Sequence, residues 1–65
     1  MDEEKAEALV KLLGGETWQS GGNLWLVILR RADGKIVAIS DELAAEYADE
    51  EALGAGEPVS QILLV

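Results

Sequence analysis

The chain of 65 residues contains no cysteine and no histidine. Without cysteine no disulfide can form, and without either residue the zinc and iron–sulfur sites that stabilise many small domains are excluded. The same two absences remove the side chains that most often act as nucleophile, general acid or general base near neutral pH. The serines occur without the GxSxG or SxxK patterns that activate a serine. We therefore expect a protein that is not an enzyme and that holds no cofactor or metal.

Long apolar runs and basic residues are also scarce. No stretch approaches the roughly 18 apolar residues of a membrane span, and the acidic start Met1-Asp2-Glu3-Glu4 is unlike a signal peptide. Five Lys and Arg stand against thirteen Asp and Glu, a net charge of −8. The lack of a membrane span and of a signal peptide predicts a cytoplasmic protein. Because the negative charge repels phosphate groups, we expect this protein to bind neither nucleic acid nor membranes.

The apolar fraction of 49% is that of a folded chain, and the length allows one domain, residues 1–65. The acids are concentrated in the last part of the chain, where seven acids and no base follow Ser40. This distribution predicts an acidic surface for a basic partner protein. Its predicted residues are Asp41, Glu42, Glu46, Asp49, Glu50 and Glu51.

The clearest local pattern is an amphipathic helix over residues 2–13, begun by Asp2 and ended by Gly14. Its apolar residues follow the i, i+3, i+4, i+7 spacing of one helix face. They are Ala6, Leu9, Val10 and Leu13.

Residues 24–31 (LWLVILRR) predict a central strand whose two faces are both covered, because six consecutive residues are apolar. Asp33-Gly34 marks a hairpin to a return strand over residues 35–40. A three-residue loop would place Leu29 opposite Val37, and a two-residue loop would place it opposite Ala38. Residues 17–19 are either loop or a short edge strand that turns back at residues 20–23.

Ser40 is a candidate cap for a second helix over residues 41–48, followed by a helical turn over residues 49–54. The last strand, residues 59–65, should then run parallel to residues 35–40 after a right-handed crossover. The resulting fold class is α+β: a two-layer αββαβ sandwich with a mostly antiparallel sheet of three or four strands and both helices on one face.

Two short helices on one face leave the other apolar face of this sheet uncovered, which predicts a contact surface. We expect a second copy to cover it in a homodimer, and the apolar chain end, residues 62–65, offers an edge for pairing. The alternative is that the glycine-rich loop and the chain end fold over this face. The predicted interface consists of Leu24, Leu26, Ile28, Arg30, Ile36 and Leu64.

These features predict a non-catalytic, acidic protein–protein interaction module that associates with itself. One alternative is an inhibitor or antitoxin that neutralises a basic protein, for example by imitating nucleic acid. A second alternative is a small-ligand binder with a pocket near the three aromatic residues, Trp18, Trp25 and Tyr47.

Overall fold

A computed structural model describes residues 1–22 and 24–64. Asn23 of the predicted turn and Val65 of the predicted last strand lie outside the described residues. Five strands form one antiparallel sheet in chain order, so the α+β class is confirmed while the sheet is larger than predicted. The elements are α1 (Glu3–Leu13), β1 (Glu16–Gln19), β2 (Trp25–Arg30), β3 (Ile36–Ile39), β4 (Leu43–Tyr47), α2 (Glu50–Ala55) and β5 (Ser60–Leu63).

Helix α1 is confirmed together with both of its ends. The Asp2 carboxylate accepts the N–H of Lys5 at 2.8 Å, and the N–H of Gly14, at a φ of +82°, donates to the carbonyl of Val10. Ala6 is fully buried on the predicted apolar face. The local sequence therefore sets both ends of this helix, and packing against the sheet buries its apolar face.

Helix α1 lies along β2. At its start, the Met1 carbonyl accepts the N–H of Trp25 at 2.9 Å, and just beyond its end Gly15 approaches the side chain of Leu29. It thus covers the sheet face that carries Val27 and Leu29, and Val27 is completely buried.

The hairpin between β2 and β3 has the three-residue loop. Leu29 stands opposite Val37, and the N–H of Arg31 donates to the carbonyl of Lys35 at 2.8 Å. Gly34 ends the loop at a φ of +90°, a conformation that glycine adopts without steric cost. The predicted edge strand at residues 17–19 is also confirmed, as β1 paired with β2.

The prediction of a helix over residues 41–48 is wrong, because this segment forms β4. Ser40 closes a tight turn instead of capping a helix: its N–H and its hydroxyl both donate to the carbonyl of Leu43, at 2.9 and 3.1 Å. The i, i+4 spacing of Leu43 and Tyr47 satisfies a helix, but with Ala45 the same residues also alternate as in a strand. Pairing with β3 decides between the two patterns and buries Ala45.

The predicted helical turn over residues 49–54 is confirmed as α2. The Asp49 carboxylate accepts the N–H of Ala52 at 2.8 Å, and the helix ends at Gly56 with a φ of +70°. The parallel arrangement of the last strand is wrong, because β5 pairs antiparallel with β4. With β4 present as a strand, α2 only reverses the chain, and no crossover is needed.

The main core lies on the sheet face opposite α1. Ile28, Ile36 and Ala38 form its buried centre, and Leu53 of α2 packs against them. The two helices therefore lie on opposite faces, which corrects the expectation of both on one face. The apolar run of β2 explains why: Val27 and Ile28 are both fully buried, one on each side of the sheet. Neither helix of residues 1–22 and 24–64 is long and apolar enough to cross a membrane.

Candidate interaction surfaces

The residues of the predicted interface do not form one surface. Ile28 and Ile36 are 0% and 2% exposed, and Leu26 packs against them. They belong to the core because Leu53 covers this face, so no second copy is required there. Leu24 and Leu64 are exposed, by 63% and 54%.

Arg30, the remaining residue of that set, links separate parts of the fold. One guanidinium nitrogen lies 2.9 Å from Glu16 on β1, and the other pairs with Glu50 on α2. The hydrogen bonds that the guanidinium of Arg30 donates to Glu16 and Glu50 raise the pKa of Arg30 above its ordinary value. Its position is explained by this structural link.

Several residues of the predicted acidic surface contact other parts of the chain. Asp41 pairs with Lys5 at 2.8 Å, and Glu46 pairs with Arg31 at 2.6 Å and with Lys35 at 3.8 Å. Glu50 pairs with Arg30, and Asp49 caps α2. Glu42 and Glu51 are exposed. Three of the six residues, Asp41, Glu46 and Glu50, are thus paired with bases of the chain.

Asp41 gives the fold a dependence on pH. Its hydrogen bond from Lys5, and then that from the Met1 amino group, lower the pKa of the Asp41 carboxyl below its ordinary value. A lowered folded-state pKa contributes stability above the unfolded value of about 3.9 and loses it as pH falls through the folded value. We expect Asp41→Asn to lower the melting temperature at pH 7 and to have a smaller effect at pH 3.

Melting curves of the wild type and the variant between pH 3 and pH 7 measure this difference. Glu57→Gln removes the same charge from an exposed acid after α2 and serves as the control. An Asp41→Asn effect that stayed constant from pH 7 to pH 3 would show that the ion pairs do not stabilise the fold.

The large apolar side chains of β5 and of the residues next to it are exposed to solvent. More than half of each large apolar side chain in this region is exposed, and no charged residue occurs between positions 58 and 64. The exposed fractions are 59% for Val59, 66% for Ile62, 75% for Leu63 and 54% for Leu64. The apolar chain end was evident from the sequence, but Leu64 is its only residue in the predicted interface.

The backbone of β5 also offers hydrogen-bonding groups at the open edge. The N–H of Leu64 donates to the carbonyl of Glu42 at 2.8 Å, in the same register that places Ile62 opposite Ala44. Because bonded pairs alternate along an antiparallel ladder, Ile62 bonds to β4 while Gln61 and Leu63 direct their N–H and C=O groups outward. Strand β5 is last in the strand order, so within the described part of the chain these groups face no further strand.

A cleft of about 420 Å³ lies between the end of β1, β4 and α2. Trp18 and Tyr47 line it together, while Trp25 lines a different cleft beside Met1. The structure thus brings together two of the three predicted aromatic residues. The other lining residues are Gln19, Ser20, Leu26, Leu53, Gly54 and Gly56. The contribution of α2 to this cleft was not predicted, because the sequence pattern favoured a helix where β4 lies.

Among residues 1–22 and 24–64, no three acids lie close enough together to hold a metal ion. Comparison of the chain with protein-family models, curated proteins and solved structures gave no significant match.

Proposed function

We propose that the chain is a protein–protein interaction module that associates with a second copy of itself through the open edge of β5. The observation that carries this proposal is the coincidence of outward N–H and C=O groups with uncharged, exposed apolar side chains on one edge strand. Edge strands of monomeric proteins are usually protected by charged residues, proline or a bulge. Residues 59–64 contain neither a charge nor a proline.

The total exposed surface supports the same proposal. The chain exposes 4446 Å². A monomer of this size exposes about 4,000 Å² according to the scaling of surface with mass. The surplus is consistent with side chains that another molecule covers, and β5 with its neighbours supplies four of the most exposed apolar side chains.

The outward groups define a specific symmetric register. If two β5 strands pair antiparallel about a two-fold axis at Ile62, Gln61 of one copy stands opposite Leu63 of the other, and the reverse holds by symmetry. These are the residues whose N–H and C=O groups point outward, so both pairs are hydrogen-bonded. The two Ile62 side chains then form the close, non-bonded pair between them. The sheet continues across the axis as one sheet of both copies.

Sedimentation equilibrium over a wide concentration range tests this proposal, with Leu63→Lys as the disrupting variant. Because position 63 is exposed in the monomer, a lysine there is tolerated in the single copy. In the dimer, the same substitution places two ammonium groups next to the two-fold axis. Losing about 1.5–3 kcal/mol of apolar burial in each copy should raise the dimer dissociation constant by about a hundredfold or more.

Leu12→Lys is the matched control, because Leu12 is 80% exposed on α1 and undergoes the same chemical change far from β5 in the sequence. It should leave the dimer intact. A second variant, Gln61→Pro, removes an outward N–H without removing a bond to β4, and it should also yield monomers. A wild type that is monomeric at all concentrations, or a Leu12→Lys effect as large as that of Leu63→Lys, would overturn the proposal.

A further inference from the structure

The aromatic cleft presents side chains that a small domain normally buries. Trp18 is 45% exposed, and Tyr47, which lines the same cleft, is half-buried. Leu26 and Leu53 complete an apolar floor that continues into the core. No charged side chain of residues 1–22 and 24–64 lines this cleft, so its rings are not covered by a base of the same chain.

Gly54 is the residue of α2 at which the cleft wall carries no side chain. It lies inside α2, where glycine lowers helix stability relative to alanine. Its φ is outside the left-handed region, and nothing lies within 4 Å of the position that a Cβ would occupy. The fold therefore does not require glycine here. The missing side chain leaves the α2 wall of the cleft open to close approach by another chain.

The charge around α2 indicates the chemistry of the ligand. On a second side of the helix, Asp49, Glu51 and Glu57 line a shallow depression of about 380 Å³. Three of the five bases of the chain, Lys5, Arg31 and Lys35, pair with acids outside α2, and Arg30 pairs with Glu16 and with Glu50 at the start of α2. With a net charge of −8, the chain attracts cations to this region, and aromatic rings bind them through their faces.

We propose that the cleft binds an extended, basic segment of a partner protein. One arginine or lysine side chain of this segment lies against Trp18 and Tyr47. The segment crosses α2 at Gly54 and Gly56, where no side chain obstructs it, and its neighbouring bases reach Glu51 and Glu57. This site is separate from the β5 edge, and the partner is a different protein.

Nuclear magnetic resonance of the ¹⁵N-labelled chain tests the proposal with an N-acetylated, C-amidated peptide of alternating arginine and alanine. The Trp18 indole N–H and the amides of Gly54 and Gly56 should shift and saturate, while the Trp25 indole should not. A peptide with citrulline in place of arginine keeps the shape of the side chain without its charge. Its affinity for the chain should be lower by about tenfold or more.

Gly54→Leu fills the open wall with a residue that favours helices. It should weaken binding of the arginine peptide by about tenfold while the melting temperature stays equal or rises. Ala8→Leu, at an exposed position of α1, is the matched control and should change neither property. Because the inference does not depend on dimer formation, the Leu63→Lys variant should bind the peptide as the wild type does.

Several results would overturn this proposal. One is equal binding of the citrulline peptide, and another is a set of shifts confined to acidic residues away from the cleft. A folded Gly54→Leu variant that binds the arginine peptide with unchanged affinity would also overturn the proposal. Shifts of the Trp18 indole with protein concentration alone would assign the cleft to a second copy instead.

Discussion

Gly15→Ala is expected to unfold most of the protein at room temperature. A Cβ at this position would lie 2.3 Å from the carbonyl oxygen of Ile28 and 2.6 Å from Cδ2 of Leu29. The carbonyl belongs to β2, which is held by a strand on each side and cannot move away cheaply. Overpacking of this kind costs about 1–3 kcal/mol, and the φ of +87° adds about 1–2 kcal/mol for a residue with a side chain. The sum is comparable with the whole stability of a domain of this size, about 3–5 kcal/mol.

Gly14→Ala separates the two contributions. Gly14 has a similar φ of +82°, but nothing lies within 4 Å of its Cβ position. This variant should therefore lose only the conformational part, about 1–3 kcal/mol for a φ of +82° with a ψ of −169°, and should remain folded with a lower melting temperature. Circular dichroism during heating and urea titration compares the two variants. Equal stability of Gly15→Ala and Gly14→Ala would contradict the close approach of Gly15 to the Ile28 carbonyl of β2.

Ile28→Ala is expected to have an effect of similar size through a different cause. Ile28 is fully buried at the centre of the core formed with Ile36, Ala38 and Leu53. Truncation of a buried isoleucine removes its apolar burial and leaves a cavity that the neighbours fill only in part, at a cost of about 2–5 kcal/mol. A urea titration should show a large shift of the midpoint, or no folded baseline at all.

Ile62→Ala makes the same chemical change at a residue that is 66% exposed. In a dilute solution, where the proposed dimer is dissociated, it should change the free energy of unfolding by no more than about 0.5 kcal/mol. At high concentration it should also weaken dimer formation. Equal destabilisation by the two variants in dilute solution would contradict the assignment of Ile28 to the core and of Ile62 to the surface.

The two proposed interactions respond to salt in opposite directions. Two copies of a chain with a charge of −8 repel each other, so added salt should strengthen an association that depends on uncharged β5 strands. Binding of a basic segment near Glu51 and Glu57 relies on attraction, and salt should weaken it. Measuring both affinities in the same salt series therefore shows which surface a given partner uses.

The local parts of the fold could be predicted from the sequence. Helix α1, the cap at Asp49 and the turn at Asp33-Gly34 depend on residues within a few positions of each other, which carry their own hydrogen bonds and backbone preferences. The strand character of β2 was equally evident, because six apolar residues in a row require cover on both faces. These elements hold the candidate surfaces in place but do not identify them.

The candidate surfaces depend on contacts between distant parts of the chain. The pattern of Leu43, Ala45 and Tyr47 fits both a helix and a strand, and only the free edge of β3 decides in favour of β4. Once β4 exists, β5 becomes the open edge. Tyr47 also comes to line the same cleft as Trp18. Composition alone determined the acidic charge and excluded the chemistry of cysteine and histidine. Local pattern alone determined α1, the cap at Asp49 and the turn at Asp33-Gly34. Tertiary pairing decided which apolar residues are buried and which stay exposed, because a segment with two compatible periods takes the one that buries more apolar surface against its neighbour.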